Sequence, residues 1–94
     1  MKKITMITAQ DCAYCKKAKN LLERIYRLKP EYAFDRIDII DVKEAEKRNM
    51  RGKSLPCFFI GDKKVYEGYV TKDKMLEIFD AANEDKIIPF SREE

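Results

Sequence analysis

Cys12-Ala13-Tyr14-Cys15 is the segment of this chain whose residue types and spacing point most directly to chemistry. Residues three apart in a first helical turn face the same side, and a small adjustment brings their β-carbons to the roughly 3.5–4.5 Å that a disulfide needs. The pair can therefore close and open reversibly. A helix N-terminus carries unsatisfied N–H groups and the positive end of the dipole, which favour a thiolate, and Lys16 and Lys17 add positive charge beside it. Cys12, nearer the helix end, is the expected nucleophile. Cys15, one turn further in, is the expected resolving thiol that attacks a mixed disulfide on Cys12. Asp11 opposes the thiolate unless its carboxylate turns aside to cap the helix. The third cysteine, Cys57, follows Pro56 in an apolar run and reads as core.

Composition narrows the alternatives. Histidine is absent, which removes the commonest general base, the His-activated nucleophile and the usual zinc-hydrolase ligands. Three cysteines are too few and odd in number for the disulfide framework of a small secreted domain, so a reducing, cytoplasmic setting is expected. The chain has 94 residues, 45% of them apolar, enough for one core; 20 Lys and Arg against 17 Asp and Glu leave a net charge of +3 with both signs interspersed. No dense basic block marks a nucleic-acid partner, and neither an export signal nor a membrane span is expected.

The elements that must position the cysteines follow from periodicity. Ile4-Thr5-Met6-Ile7-Thr8 reads as a buried strand. Cys15, Ala18, Leu22 and Ile25, flanked by Leu21 and Leu28, form the apolar stripe of a helix that stops before Pro30, with Lys19 on its wet face. Within Ala33 to Ile40, the Arg36-Ile37-Asp38-Ile39 alternation predicts an edge strand that buries both isoleucines. A short helix capped near Asp41 runs through Val42, Ala45 and Met50 to Gly52. Cys57-Phe58-Phe59-Ile60 is a central strand turning at Gly61-Asp62 into Lys64-Val65-Tyr66. Thr71 caps a last helix with Met75, Leu76, Phe79 and Ala82 on one side. The domain is expected over residues 1–83, followed by a charged tail over 84–94 that packs back through Ile87-Phe90. The order β-α-β-α-β-β-α predicts a four-stranded mixed sheet with helices on its faces.

Ser54-Leu55-Pro56 precedes the central strand, and a proline that cannot donate to the ladder belongs at its first position. A cis Leu55-Pro56 bond would turn the Leu55 N–H and C=O toward an extended thiol substrate. Tyr66 and Tyr69 are candidate groove walls.

A C-x-x-C at a strand-to-helix junction is the thioredoxin-like redox motif. Cys12-Ala13-Tyr14-Cys15-Lys16-Lys17-Ala18-Lys19, Ser54-Leu55-Pro56 before a strand and Gly68 before the last helix together resemble a glutaredoxin, over roughly residues 3–82. The missing N-terminal strand and helix of thioredoxins, the tyrosine at position 14 and the lack of a tryptophan before Cys12 agree with that. The resemblance implies a thioredoxin-like three-layer α/β fold and a monomer that reduces protein or glutathione mixed disulfides. It implies Cys12 and Cys15 as the redox-active disulfide, Tyr14 as an aromatic wall, the Leu55-Pro56 backbone as substrate clamp, Gly68 and Tyr69 beside it, and Lys53 meeting a substrate carboxylate. No resident cofactor is implied; glutathione is the expected co-substrate. The chain departs from the family pattern at Ala13, at Ser54-Leu55 and at Glu67-Gly68-Tyr69-Val70-Thr71-Lys72, where a double glycine with acidic residues is usual. Those departures leave open a redoxin served by thioredoxin reductase or a module holding a [2Fe–2S] cluster between two copies, and the apolar Ile87-Phe90 patch leaves open a redox-sensing adaptor that docks a partner through its tail.

Overall fold

The computed structural model describes residues 3–35, 37–83 and 91–92. Strand β1, Ile4–Thr8, is buried at every position. It lies between β2, Asp38–Asp41, to which it runs parallel, and β3, Cys57–Ile60, to which it runs antiparallel. A strand in mid-sheet with both faces covered buries even its two threonines, and the Thr8 hydroxyl donates to Ile40 O at 3.3 Å. β3 pairs antiparallel with β4, Lys63–Glu67, through the Gly61-Asp62 turn. The four expected strands form a mixed sheet in the order β2-β1-β3-β4, and a short fifth strand extends it beyond β4.

Helices cover both faces. Ile4 and Met6 of β1 and Phe58 and Ile60 of β3 point into the larger core, against Ala18, Leu22 and Ile25 of α1, Ala13–Leu28, and Met75, Ile78 and Phe79 of α3, Lys72–Asn83. The alternate residues Ile7, Cys57 and Phe59 face the other way and pack with Ile40 and with Ala45 of α2, Val42–Lys47. Period-two alternation in two neighbouring strands thus builds the three layers. Phe58 is fully buried, and truncating such a ring to alanine costs about 3–5 kcal/mol.

The caps explain where the helices begin. Thr71 Oγ1 accepts from Lys74 N–H at 3.2 Å, as expected for the start of α3. Asp41 Oδ1 accepts from Glu44 N–H at 2.8 Å and starts α2. That helix ends at Lys47 rather than reaching Gly52, because Asn49 takes a left-handed conformation at φ 60°. Met50 therefore packs from beyond the helix.

Three further expectations are corrected. Leu28 is 65% exposed, and Tyr26 occupies the end of the α1 stripe instead, its hydroxyl accepting from Ile37 N–H at 3.0 Å. Ile39 is 43% exposed while Ile37 and Ile40 are buried. The strand starts only at Asp38, so Ile37 belongs to the approach to it and does not share a face with Ile39. A 3₁₀ helix, Pro30–Asp35, fills the α1–β2 connection, and its Tyr32 stacks on Phe79 with centroids 4.9 Å apart. The Ile87-Phe90 segment lies outside the described residues. Beyond it Ser91–Arg92 forms β5, which pairs parallel with β4 at Tyr66 and Glu67. Among the described residues no helix is long and apolar enough to cross a membrane.

Candidate active site

Three connections converge at one end of the sheet. β1 ends at Thr8 and leads to Cys12; β3 begins at Cys57, just after Leu55-Pro56; β4 ends at Glu67, just before Gly68-Tyr69. The register pairs Ile7 with Cys57 and Cys57 with Glu67, which sets the three connections side by side. Gly68 N–H donates to Pro56 O at 2.9 Å, tying two of them together. Gly68 sits at φ 101°, a conformation in which a side chain would be strained.

Cys12 and Cys15 are joined as a disulfide across a Cα–Cα distance of 5.2 Å. Cys12 is itself the N-cap of α1, in extended conformation, and its Sγ accepts from Cys15 N–H at 3.2 Å. The cap position that a serine or aspartate ordinarily fills is thus taken by sulfur, which receives one of the helix's otherwise free N–H groups, that of Cys15. No acidic residue occupies the first turn. Asp11, exposed at φ 60°, precedes the cap and does not supply it. Cys15 is 1% exposed and belongs to the buried stripe of α1, whereas Cys12 is only half-buried.

Tyr14 is half exposed, and its ring meets Tyr69 edge-on at 5.3 Å. The Lys17 ammonium lies over the Tyr69 ring at 5.9 Å. Lys16 is exposed on the same helix. Tyr66, read as a groove wall from sequence, is instead buried in the larger core, with its hydroxyl donating to Tyr69 O. Its pairing opposite Phe58 places it on the inner face of β4, and the tyrosine three residues on is the one that meets Tyr14.

The Leu55-Pro56 bond is cis. Leu55 is half-buried against the smaller core, and with Met50, Arg51 and Lys53 it borders a cleft of about 290 Å³ on the α2 side. Lys53 is exposed. Its main chain is held by a residue that no sequence argument singled out for the site: the side chain of Glu67, 2% exposed, accepts from Lys53 N–H at 2.7 Å and from Ser54 N–H at 3.3 Å through the same Oε2. Lys64 Nζ approaches that oxygen at 3.8 Å. Gly52 is needed where the loop passes this carboxylate, because a β-carbon there would come within 2.5 Å of Cys57 Sγ and 3.1 Å of Glu67 Oε2. The only available signal was a lone carboxylate directly after Val65-Tyr66 at the end of β4, and its partners lie 13 and 14 residues away in a loop.

Cys57 is fully buried and free. Burial, reinforced by the Glu67 charge, pushes its thiol up to about 11, so it stays protonated and unreactive at neutral pH. Among the described residues no three His, Cys, Asp or Glu side chains gather to hold a metal ion.

Comparison with known proteins adds one match. Residues 4–65 fit the family model described as Glutaredoxin. No curated protein matches the chain.

Proposed function

The chain belongs to the glutaredoxin family, whose model covers well over half of its 94 residues including both motif cysteines, and from that premise we propose that it is a disulfide reductase working through the Cys12–Cys15 dithiol with glutathione as electron donor. The observation that carries this reading is the disulfide at the start of α1, with one sulfur capping the helix and the other buried behind it.

Cys12 Sγ, as a thiolate, attacks one sulfur of the substrate disulfide. The substrate S–S bond breaks, its other sulfur leaves as a thiolate that takes a proton from solvent, and a mixed disulfide remains on Cys12. Cys15 then gives its proton to solvent and attacks Cys12 Sγ. The mixed bond breaks, the second substrate thiol is released, and the Cys12–Cys15 bond forms. Two electrons have passed from the dithiol to the substrate. Two glutathione thiols return them, leaving as glutathione disulfide. The helix N-terminus stabilises the attacking thiolate without a general base, consistent with a chain that has no histidine. Lys16 and Lys17 add positive charge on the same helix. In this reading Leu55, Pro56, Gly68 and Tyr69, with Tyr14, are the surface against which an extended thiol substrate lies, and the exposed Lys53 meets its carboxylate.

A peptide-disulfide assay with two donor systems tests this. Turnover with glutathione and glutathione reductase is expected; turnover with thioredoxin reductase alone would move the chain to the redoxin branch without glutathione affinity. A Cys12→Ser variant should lose activity, and Cys15→Ser should trap the mixed disulfide. A potential of about −200 to −230 mV fits the glutaredoxin reading, and about −270 mV the thioredoxin-like one. A [2Fe–2S] module is the weaker reading: a cluster wants four thiolates, and one chain offers three cysteines, of which Cys57 is buried.

A further inference from the structure

Beside the redox pair, an open cleft of about 410 Å³ runs between α1 and the segment leading into α3. Its wall nearest the motif is Tyr69, the ring that touches Tyr14. Lys17 and Arg24 line it from α1, and Lys72 lines it from the opposite side, with Asn20 and Thr71 between them. The lining thus carries three cations and no carboxylate, in a chain whose 20 basic residues are nearly balanced by 17 acidic ones. None of the three is in an ion pair with another described residue. All three belong to exposed residues. The N-terminal end of the α3 dipole opens into the same space; Asp73 offsets part of it from the first turn but is not in the lining.

We propose that this cleft docks an acidic stretch of the protein substrate, adjoining the cysteine that Cys12 attacks. The inference rests on the oxidoreductase reading and names the substrate class for it. The dimensions agree with a peptide. Lys17 and Arg24 are seven residues apart on α1, about 10 Å along its axis, which an extended chain covers in about three residues. Acidic side chains within about five positions of the reacting cysteine therefore reach the cations while the disulfide stays at the helix start. Tyr69 supplies an apolar face for the peptide's backbone and stems near the reacting sulfur.

The test is single-turnover reduction, in which the pre-reduced protein's own dithiol supplies the two electrons. Two peptides carry the same disulfide, one flanked by Asp and Glu and the other by Asn and Gln at the same positions. With three exposed cation–carboxylate contacts, the acidic peptide is expected to react about tenfold faster in its second-order rate constant at low salt, and the ratio should shrink toward one at about 1 M salt. In an Arg24→Glu/Lys72→Glu double variant the acidic-to-neutral ratio should fall to one or below. Because the ratio is taken within each protein, a general loss of activity in the variant does not imitate this result. Equal rates for the two peptides with wild-type protein overturn the proposal while leaving the oxidoreductase reading intact, as does an acidic preference that the double variant retains. Reduction of neither peptide overturns both.

Discussion

Replacing Glu67 by methionine tests whether a buried carboxylate outside the redox motif holds the loop that leads into Leu55-Pro56. Methionine fills the same volume but accepts no hydrogen bond from Lys53 or Ser54, both of which end on Glu67 Oε2 in the native protein. A hydrogen bond to a charged group contributes about 1.5–3 kcal/mol. Two opposing effects reduce the sum. Lys53 is exposed and Ser54 only half-buried, so water can recover part of both N–H groups, and the variant no longer desolvates a carboxylate. The expected net loss is about 1–2 kcal/mol in urea unfolding. Because the freed residues immediately precede Leu55-Pro56, the peptide-disulfide KM should rise several-fold with kcat little changed. Glu67→Gln keeps an accepting oxygen in the same place and should lose less than half as much on both measures. A Glu67→Met protein with wild-type stability and wild-type KM would refute the reasoning, and so would one whose loss of stability leaves KM untouched.

Other consequences are as specific. Iodoacetamide should label Cys12 in the reduced native protein and reach Cys57 only after unfolding. Since the Cys57 thiol is raised from 9.0 to about 11, its contribution to stability is complete below pH 9 and lost as pH rises from there through 11. Wild type should therefore lose up to about 1.4 kcal/mol per pH unit more than Cys57→Ala over that range in urea unfolding. Asp38, hydrogen-bonded by Arg48 at 3.1 Å and approached by Lys3 at 3.3 Å, is held below its ordinary 3.8. Its contribution is present above that value and disappears as pH falls through the lowered one, so an Asp38→Asn protein should show a flatter acid limb in its melting-temperature profile. Tyr26→Phe leaves Ile37 N–H without its acceptor, and a cost of about 1–2 kcal/mol should lower the melting temperature by roughly 5–10 °C.

Where the sequence was legible, the information lay within a few residues. The Cys12–Cys15 spacing, the Cys15-Ala18-Leu22-Ile25 stripe, the Thr71 cap and the Gly61-Asp62 turn each depend on the local backbone, and each stands in the fold as its spacing implies. The apolar run of β3 marked a strand covered on both sides. Legibility failed where one position has two locally equivalent options. Leu28 and Tyr26 both fit the end of the α1 stripe, and the choice went to the residue whose hydroxyl could receive Ile37 N–H from the incoming chain. Ile37 and Ile39 alternate as strand residues should, yet the strand starts only at Asp38, and Ile39 was left to solvent. Asn49 stopped α2 before Gly52 could.

The residue types at the site, its dithiol chemistry and the order of its elements were thus determined by the sequence alone, because spacing along a chain is enough to specify a helix start, a turn or a stripe. Only the tertiary structure decided that the caps, loops and walls of the site meet. Tyr14 finds Tyr69, Gly68 ties back to Pro56, and Glu67 reaches the backbone at Lys53 and Ser54. These contacts depend on strand register and on which face each side chain takes, quantities that packing of two cores settles together and that no single segment carries.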